Sequence, residues 1–410
     1  MTRKRTALLC AAALLVSSVP LIAGAAGPAD AADAADSARH RGSECVASPE
    51  SVDGQGRAIR DVVENARRDL NLRAVIARVT QHGRDLWTGA VGPSMTEVPA
   101  RPDMRFRAGS VGIAFMGTIL LQLVDEKQVS LDDPISRWLP EIPHADEITL
   151  RELGDTTSGF RDYVTDQGFL TDLEAHPFKQ WTPQDVFHYA DLDVQLYKPG
   201  TNFSYSHANF QLLGLALERI THTRLDHLLE QRIYRPLGLH ATSNSYTPDL
   251  PTPVLHAFTH ERGTYEESTF WNPSWTTAPG AVINMNICDL ARAGVGIGSG
   301  QTLSRDGYQT LLDPGTVGLG QATPTCPKDV CMPQTQDIHF GMSALIVHGW
   351  VVQNPSLSGY AAIMAYLPSE DLSIAVSATY SPTTDQQVQN LTTTIAEELS
   401  RLLVPDQPLG

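Results

Sequence analysis

The sequence predicts an α/β protein: one sheet, assembled from both ends of the chain, carrying a mostly helical insertion. Three observations lead there. Near the start, "RAVIARVTQHGRDLWTGAVG" (73–92) alternates around a glycine-containing turn, the mark of a β-hairpin. Near the end, "HFGMSALIVHG", "WVVQNP", "GYAAIMAYLP" and "LSIAVSATY" (within 339–380) read as strands. Between them the chain is short helices and Pro/Gly-rich loops. Strands from both termini must share a sheet to bury their apolar faces, which leaves the middle as a second lobe and a cleft where the lobes meet.

In chain order, "MTRKR" followed by "TALLCAAALLVSSVPLIAGAA" has the basic and apolar regions of a secretory signal peptide, expected over 1–32 and cut near Ala26 or a little later. The Ala/Asp/Ser/Gly run to residue 51 reads as a flexible leader (33–51). The α/β lobe is expected over 52–107 and 276–405, and the mostly helical lobe over 108–275. "GRAIRDVVENARRDL" has apolar residues at helical spacing. From Ser110 to about Lys127 the chain is apolar nearly all round, which predicts a buried helix. "ANFQLLGLALERIT" and "LDHLLEQRIY" are the clearest helices of the middle, and "VQNLTTTIAEELSRLL" is the last.

The 410 residues, 42% apolar and 19% charged, are enough for a large core. A net charge of −16 argues against nucleic acid and anionic membrane surfaces, which reward basic patches. No stretch after the signal is long and apolar enough to span a bilayer. The mature chain is therefore expected to be secreted. Cys10 leaves with the signal, and Cys45, Cys288, Cys326 and Cys331 remain. "CPKDVC" would close a small loop, favouring Cys326–Cys331 with Cys45–Cys288 by elimination, against the alternative of buried free thiols. No metal or cofactor is implied. His256 and His260, four apart in "HAFTH", could share a helix face, but a third ligand is missing.

Several segments carry chemistry: "FRAGSVGIAF" (106–115), "VSLDDPISRWLPEI", "ITLRELGDTTSGFRDY", "PGTNFSYSHANFQLLG" (199–214), "WTTAPGAVINMNICDLAR" and "QNPSLSGYAAIMAYLP" (353–368). In this order they resemble the serine β-lactamase and D-alanyl-D-alanine carboxypeptidase family, on the branch of class C β-lactamases and related esterases. The resemblance covers most of the mature chain. It implies the two-lobed β-lactamase/DD-peptidase fold, an antiparallel sheet flanked by helices with an all-helical lobe, and acyl transfer through a serine. In the family, the serine attacks, a lysine one helical turn on and a tyrosine handle its proton, and an asparagine holds the substrate amide. A third box, written His or Lys, then Thr or Ser, then Gly, supplies an oxyanion donor. On that pattern Ser110 is the nucleophile position, Tyr205 the base position and the Ser356 N–H an oxyanion donor.

The chain departs at each box. Ile113 replaces the lysine, His207 the asparagine, and Gln353-Asn354-Pro355 the third triplet; Asp155-Thr156 stand where the family has Ser-His. Ile113 can carry no proton, and its plain reading is helix packing. Tyrosine, with a pKa near 10 when unperturbed, is a poor base without a cation beside it. His207 is the candidate compensating base, against a plain packing role; Ser110 could be merely a helix N-cap. Pro355 removes a strand donor, which is tolerated at edges and bulges. The expectation is a degenerate cleft, weak or inactive as a penicillin or D-alanyl hydrolase, that binds a small-molecule or peptide ligand, cell-wall derived among the candidates. The alternative is an active esterase, amidase, β-lactamase or carboxypeptidase using Ser110 with Tyr205 or His207.

Overall fold

The hairpin forms where the alternation demands it. In a computed structural model, which describes residues 45–49, 54–276, 282–385 and 390–410, strand β1 (Leu72–Gln81) pairs antiparallel with β2 (Arg84–Val91). The turn His82-Gly83 has φ of +50° and +71°, the two left-handed positions of a tight turn matched to strand twist. The signal peptide and the leader up to residue 44 lie outside the described residues. At the leader's end, Ser48 N donates to Thr88 O at 2.7 Å and its hydroxyl accepts from Thr88 N at 2.9 Å. A Cys45–Cys288 disulfide fastens the same segment.

The C-terminal strands are β3 (Ile338–Phe340), β4 (Leu345–Val347), β5 (Trp350–Gln353), β6 (Ser356–Leu357), β7 (Tyr360–Leu367) and β8 (Leu372–Tyr380). They complete an eight-stranded antiparallel sheet of order β3-β4-β5-β7-β8-β1-β2, with β6 added on β7. Strands from the two ends of the chain meet where β1 pairs with β8, Ala77 opposite Val376. The "HFGMSALIVHG" segment is two strands rather than one, broken at Ser343, whose φ is +62°.

Both faces of the sheet are covered, which is why β7 and β8 are buried at every residue and read as continuous apolar runs. Ile363, Ala365, Ile374 and Val376 face α1 (Gly54–Asp69) and α5 (Leu391–Leu403). Ala362, Met364 and Ala375 face the larger core, shared with α2 (Val111–Asp125), α3 (His207–Thr221) and α4 (Ile287–Gly298). The alternation follows from the two-residue period of a strand. Of the 15 residues of α2, 13 are buried, as its lack of a polar face predicts. The protein thus has the β-lactamase/DD-peptidase-like fold: an antiparallel sheet flanked by helices, with helical segments between its halves. Among the described residues no helix is long and apolar enough to cross a membrane.

Candidate active site

Ser110 precedes the first turn of α2, half-exposed, and its side chain makes no cap hydrogen bond. The N-cap reading therefore does not describe its hydroxyl, which lies close enough to the Tyr205 phenol to act on it electrostatically. The third segment comes to the same place. A Cβ on Gly109, whose φ is +41°, would lie 3.1 Å from Pro355 Cβ and 2.9 Å from Leu357 Cδ2. Only a glycine allows that strand to press against the residue next to Ser110. The fold thus brings together residues separated by about half the chain.

Tyr205 carries no sign of activation. Burial pushes its pKa well above the tyrosine value, Asp162 pushes it further, and the Ser110 hydroxyl pulls back against both. The lysine position offers no relief, since Ile113 is fully buried in the main core. The phenol is thus held towards its protonated form.

His207 opens α3, preceded by Ser206 as N-cap. Its Nδ1 lies 3.1 Å from both Asp162 oxygens, and its ring sits edge-on to Tyr205 at 5.2 Å and 89°. Ser110, Tyr205, His207 and Asp162 therefore form one connected cluster. Asp162 was not identified from the sequence. It lies 45 residues before its partner, and only its place in "SGFRDY" beside the serine-glycine pair marks it.

Around the third box the side chains make contacts within the fold. Gln353 donates to Ser343 O at 2.7 Å. Pro355 interrupts the strand between β5 and β6, yet Gln353↔Met364 and Ser356↔Ala361 keep one register, so the break costs ladder bonds without a slip. It falls where β6 has β7 as its partner, at an edge. The Ser356 hydroxyl lies 3.2 Å from that of Tyr380. Asn390, also not identified from the sequence, seals the break: its Nδ2 donates to the carbonyls of Asn354 and Pro355 at 2.7 Å and Ala362 at 2.9 Å, while its Oδ1 caps α5 through Thr392 N. Asn390→Ala is expected to cost about 1–3 kcal/mol, a lost cap plus the loss of a donor to the Ala362 carbonyl, since Pro355 O keeps the Ala362 N–H. Urea unfolding measures it, and a loss below about 1 kcal/mol would show that the seal is dispensable.

Beside Tyr205 opens a cavity of about 460 Å³, with Asp162 and Arg161 on one side and Asp329, Val330 and Met332 on the other. The second disulfide, Cys326–Cys331, closes the loop that forms this wall. Thr325 Oγ1 donates to Leu196 O at 2.6 Å, and Asn202 Nδ2 reaches Cys331 Sγ at 3.3 Å, tying the loop down. Both disulfides join the cysteines that loop length and elimination favour.

Asp155, at the altered Ser-His position, is buried, accepting from Thr157 N and Oγ1 at 3.1 and 2.7 Å. Thr156 beside it has φ +59°. His256 and His260 flank the short strand Phe258–Thr259 rather than sharing a helix face. The extended backbone sends them to separate partners, Glu267 and Pro382 O.

Known proteins bear on this arrangement. PbpX of Bacillus subtilis, which carries a penicillin-binding-protein name, is 25% identical over 224 residues, 53% of this chain and 54% of that one. Protein flp of Staphylococcus aureus is 28% identical over 156 residues, 37% of this chain and 30% of flp. The chain thus spans about half the length, or less, of the curated relatives it matches. In structure it is similar to a D-stereospecific amidohydrolase from Streptomyces sp. (TM-score 0.68, 23% identity, 83% of this chain and 98% of that one). It is also similar to the D-amino acid amidase of Ochrobactrum anthropi complexed with L-phenylalanine amide (TM-score 0.70, 18% identity, 85% and 99%). Residues 59–397 match the model of the Beta-lactamase family, and the chain belongs to that family.

Proposed function

We propose that the chain is a secreted family member whose cleft binds a small acylated molecule or a peptide, cell-wall fragments included, without competent penicillin or D-alanyl hydrolysis. One observation carries this reading: Ile113 puts a fully buried aliphatic side chain at the lysine position, while Tyr205, beside Ser110, is driven away from the phenolate by burial and by Asp162. Loss of a general base removes roughly 10²–10⁴-fold in rate, and groups that act as a unit lose more together. The open cavity beside Tyr205 supports a ligand over a purely structural role. The amidase neighbours, crystallised with phenylalanine and its amide, support an amino-acid-sized one. The signal-like N-terminus and two disulfides support secretion. A fluorescent penicillin and a fluorophosphonate are expected to leave Ser110 unlabelled; covalent labelling that disappears in Ser110→Ala would overturn the reading.

The Asp162–His207 pair favours a second reading, an esterase or amidase in which an imidazole oriented by a carboxylate supplies the base. Turnover of a small chromogenic ester, abolished by His207→Ala, would establish it.

A further inference from the structure

We infer that Asp162 is a positioning residue that sets the tautomer of His207, holding the ring proton on Nδ1 and leaving the lone pair on Nε2. Asp162 is itself fixed by the backbone. Its Oδ1 accepts from Val164 N and from His207 N, each at 3.2 Å, the first being the cap of the short helix Tyr163–Thr165. The carboxylate cannot turn to suit the imidazole, so the imidazole must suit the carboxylate. Both Asp162 oxygens face Nδ1 at 3.1 Å. A lone pair there would meet two acceptors and repel them; an N–H meets them both.

The ring is held in this orientation by its neighbours. Tyr205 stands perpendicular at 5.2 Å, Tyr163 lies 5.9 Å away and Trp275 6.5 Å away, centroid to centroid. The side chains of His207 and Asp162 are only 16% and 13% exposed, so water competes little for the bond and the pairing is stronger than a surface one. A rotation of the imidazole by half a turn would put a carbon against the carboxylate and forfeit it.

The consequence concerns what this position can recognise. The asparagine that the family carries there offers both a carbonyl and an amide N–H. The neutral form of the His207 ring, oriented by Asp162, offers one lone pair. On the cleft-binding reading above, on which this step rests, a ligand that reached Nε2 of the neutral ring would have to present an N–H or O–H there, and a bare carbonyl or carboxylate oxygen would be disfavoured.

The test is ¹⁵N-edited NMR of the full mature chain with labelled histidine, recorded on the neutral ring, with His207→Asn supplying the assignment by difference. The expected spectrum shows His207 protonated at Nδ1 and unprotonated at Nε2. Asp162→Asn reverses it: the Asn oxygen stays with the two backbone N–H groups, its NH₂ turns to Nδ1, and the ring proton moves to Nε2. A wild-type ring protonated at Nε2 overturns the inference, and so does an unchanged tautomer in Asp162→Asn. Should that variant fail to fold, the wild-type spectrum decides, since a carboxylate-bound Nδ1 proton is strongly deshielded and its absence sinks the assignment. Serine labelling by penicillin, which decides the binding reading, is a separate outcome.

Discussion

Ile113→Lys is expected to destabilise the protein by about 3–5 kcal/mol, the range for a buried charge without a partner, and to leave penicillin turnover undetectable. Restoring the family's residue is the obvious repair, yet the position has been absorbed into the core. Ile113 has no exposure and belongs to the cluster that joins α2 to the sheet. An ammonium there loses its hydration. Its pKa falls, and the chain either buries a neutral amine among aliphatic neighbours or distorts to reach water. Tyr205 would gain a cation only if the new side chain reached it. On the proposed binding reading the other two boxes would remain altered, with Gln353 donating to Ser343 O and His207 paired with Asp162. Thermal unfolding and fluorescent-penicillin labelling read the two effects separately. A variant as stable as its parent that acylates readily would show that one side chain, and not three altered boxes, separates this cleft from an active one.

How much of this was legible beforehand depended on the range of the interactions. The sheet was legible because β7 and β8 bury every residue, so their apolar runs stand out without knowledge of partners. The helix after Ser110 was legible for the same reason. The hairpin showed itself through a local signal, a glycine following His82 where two left-handed residues are needed. What stayed hidden was set by distant partners. Ser110 looks as much like an N-cap as a nucleophile until the fold shows its side chain making no cap bond and Tyr205, far along the chain, brought near it. Asp162 is an ordinary exposed-looking aspartate until the fold puts His207 beside it. Asn390 reads as a helix start; its three carbonyl contacts exist only because Pro355 breaks a strand elsewhere. The His256/His260 spacing misled because four residues mean one face only in a helix, and these flank a strand.

Asp155→Asn should make the protein more stable in mildly alkaline solution and leave it nearly unchanged in acid. Burial, the dominant cause, raises the Asp155 carboxyl from 3.8 to about 7; hydrogen bonds from the Thr157 side chain and backbone oppose it, Glu152 adds to it and Arg151 subtracts. The folded chain therefore holds this proton more tightly than the unfolded chain does. The associated stability is complete below about pH 4 and is lost as pH climbs towards 7, after which the curve is flat. Across pH 5 to 8 the loss is about 3 kcal/mol at 1.36 kcal/mol per pH unit of differential protonation. Asparagine cannot ionise, and its carbonyl can still accept from Thr157 N and Oγ1, the two bonds the acid makes now. The difference in melting temperature between variant and parent is accordingly expected to grow by roughly 6 °C from pH 5 to pH 8, at about 2 °C per kcal/mol for a chain of this size. Differential scanning calorimetry at the two pH values measures it. A difference that does not change with pH would mean that Asp155 is ionised in the folded protein throughout, with solvent or a cation reaching it, and that the segment leading to Asp162 is more open than its burial indicates.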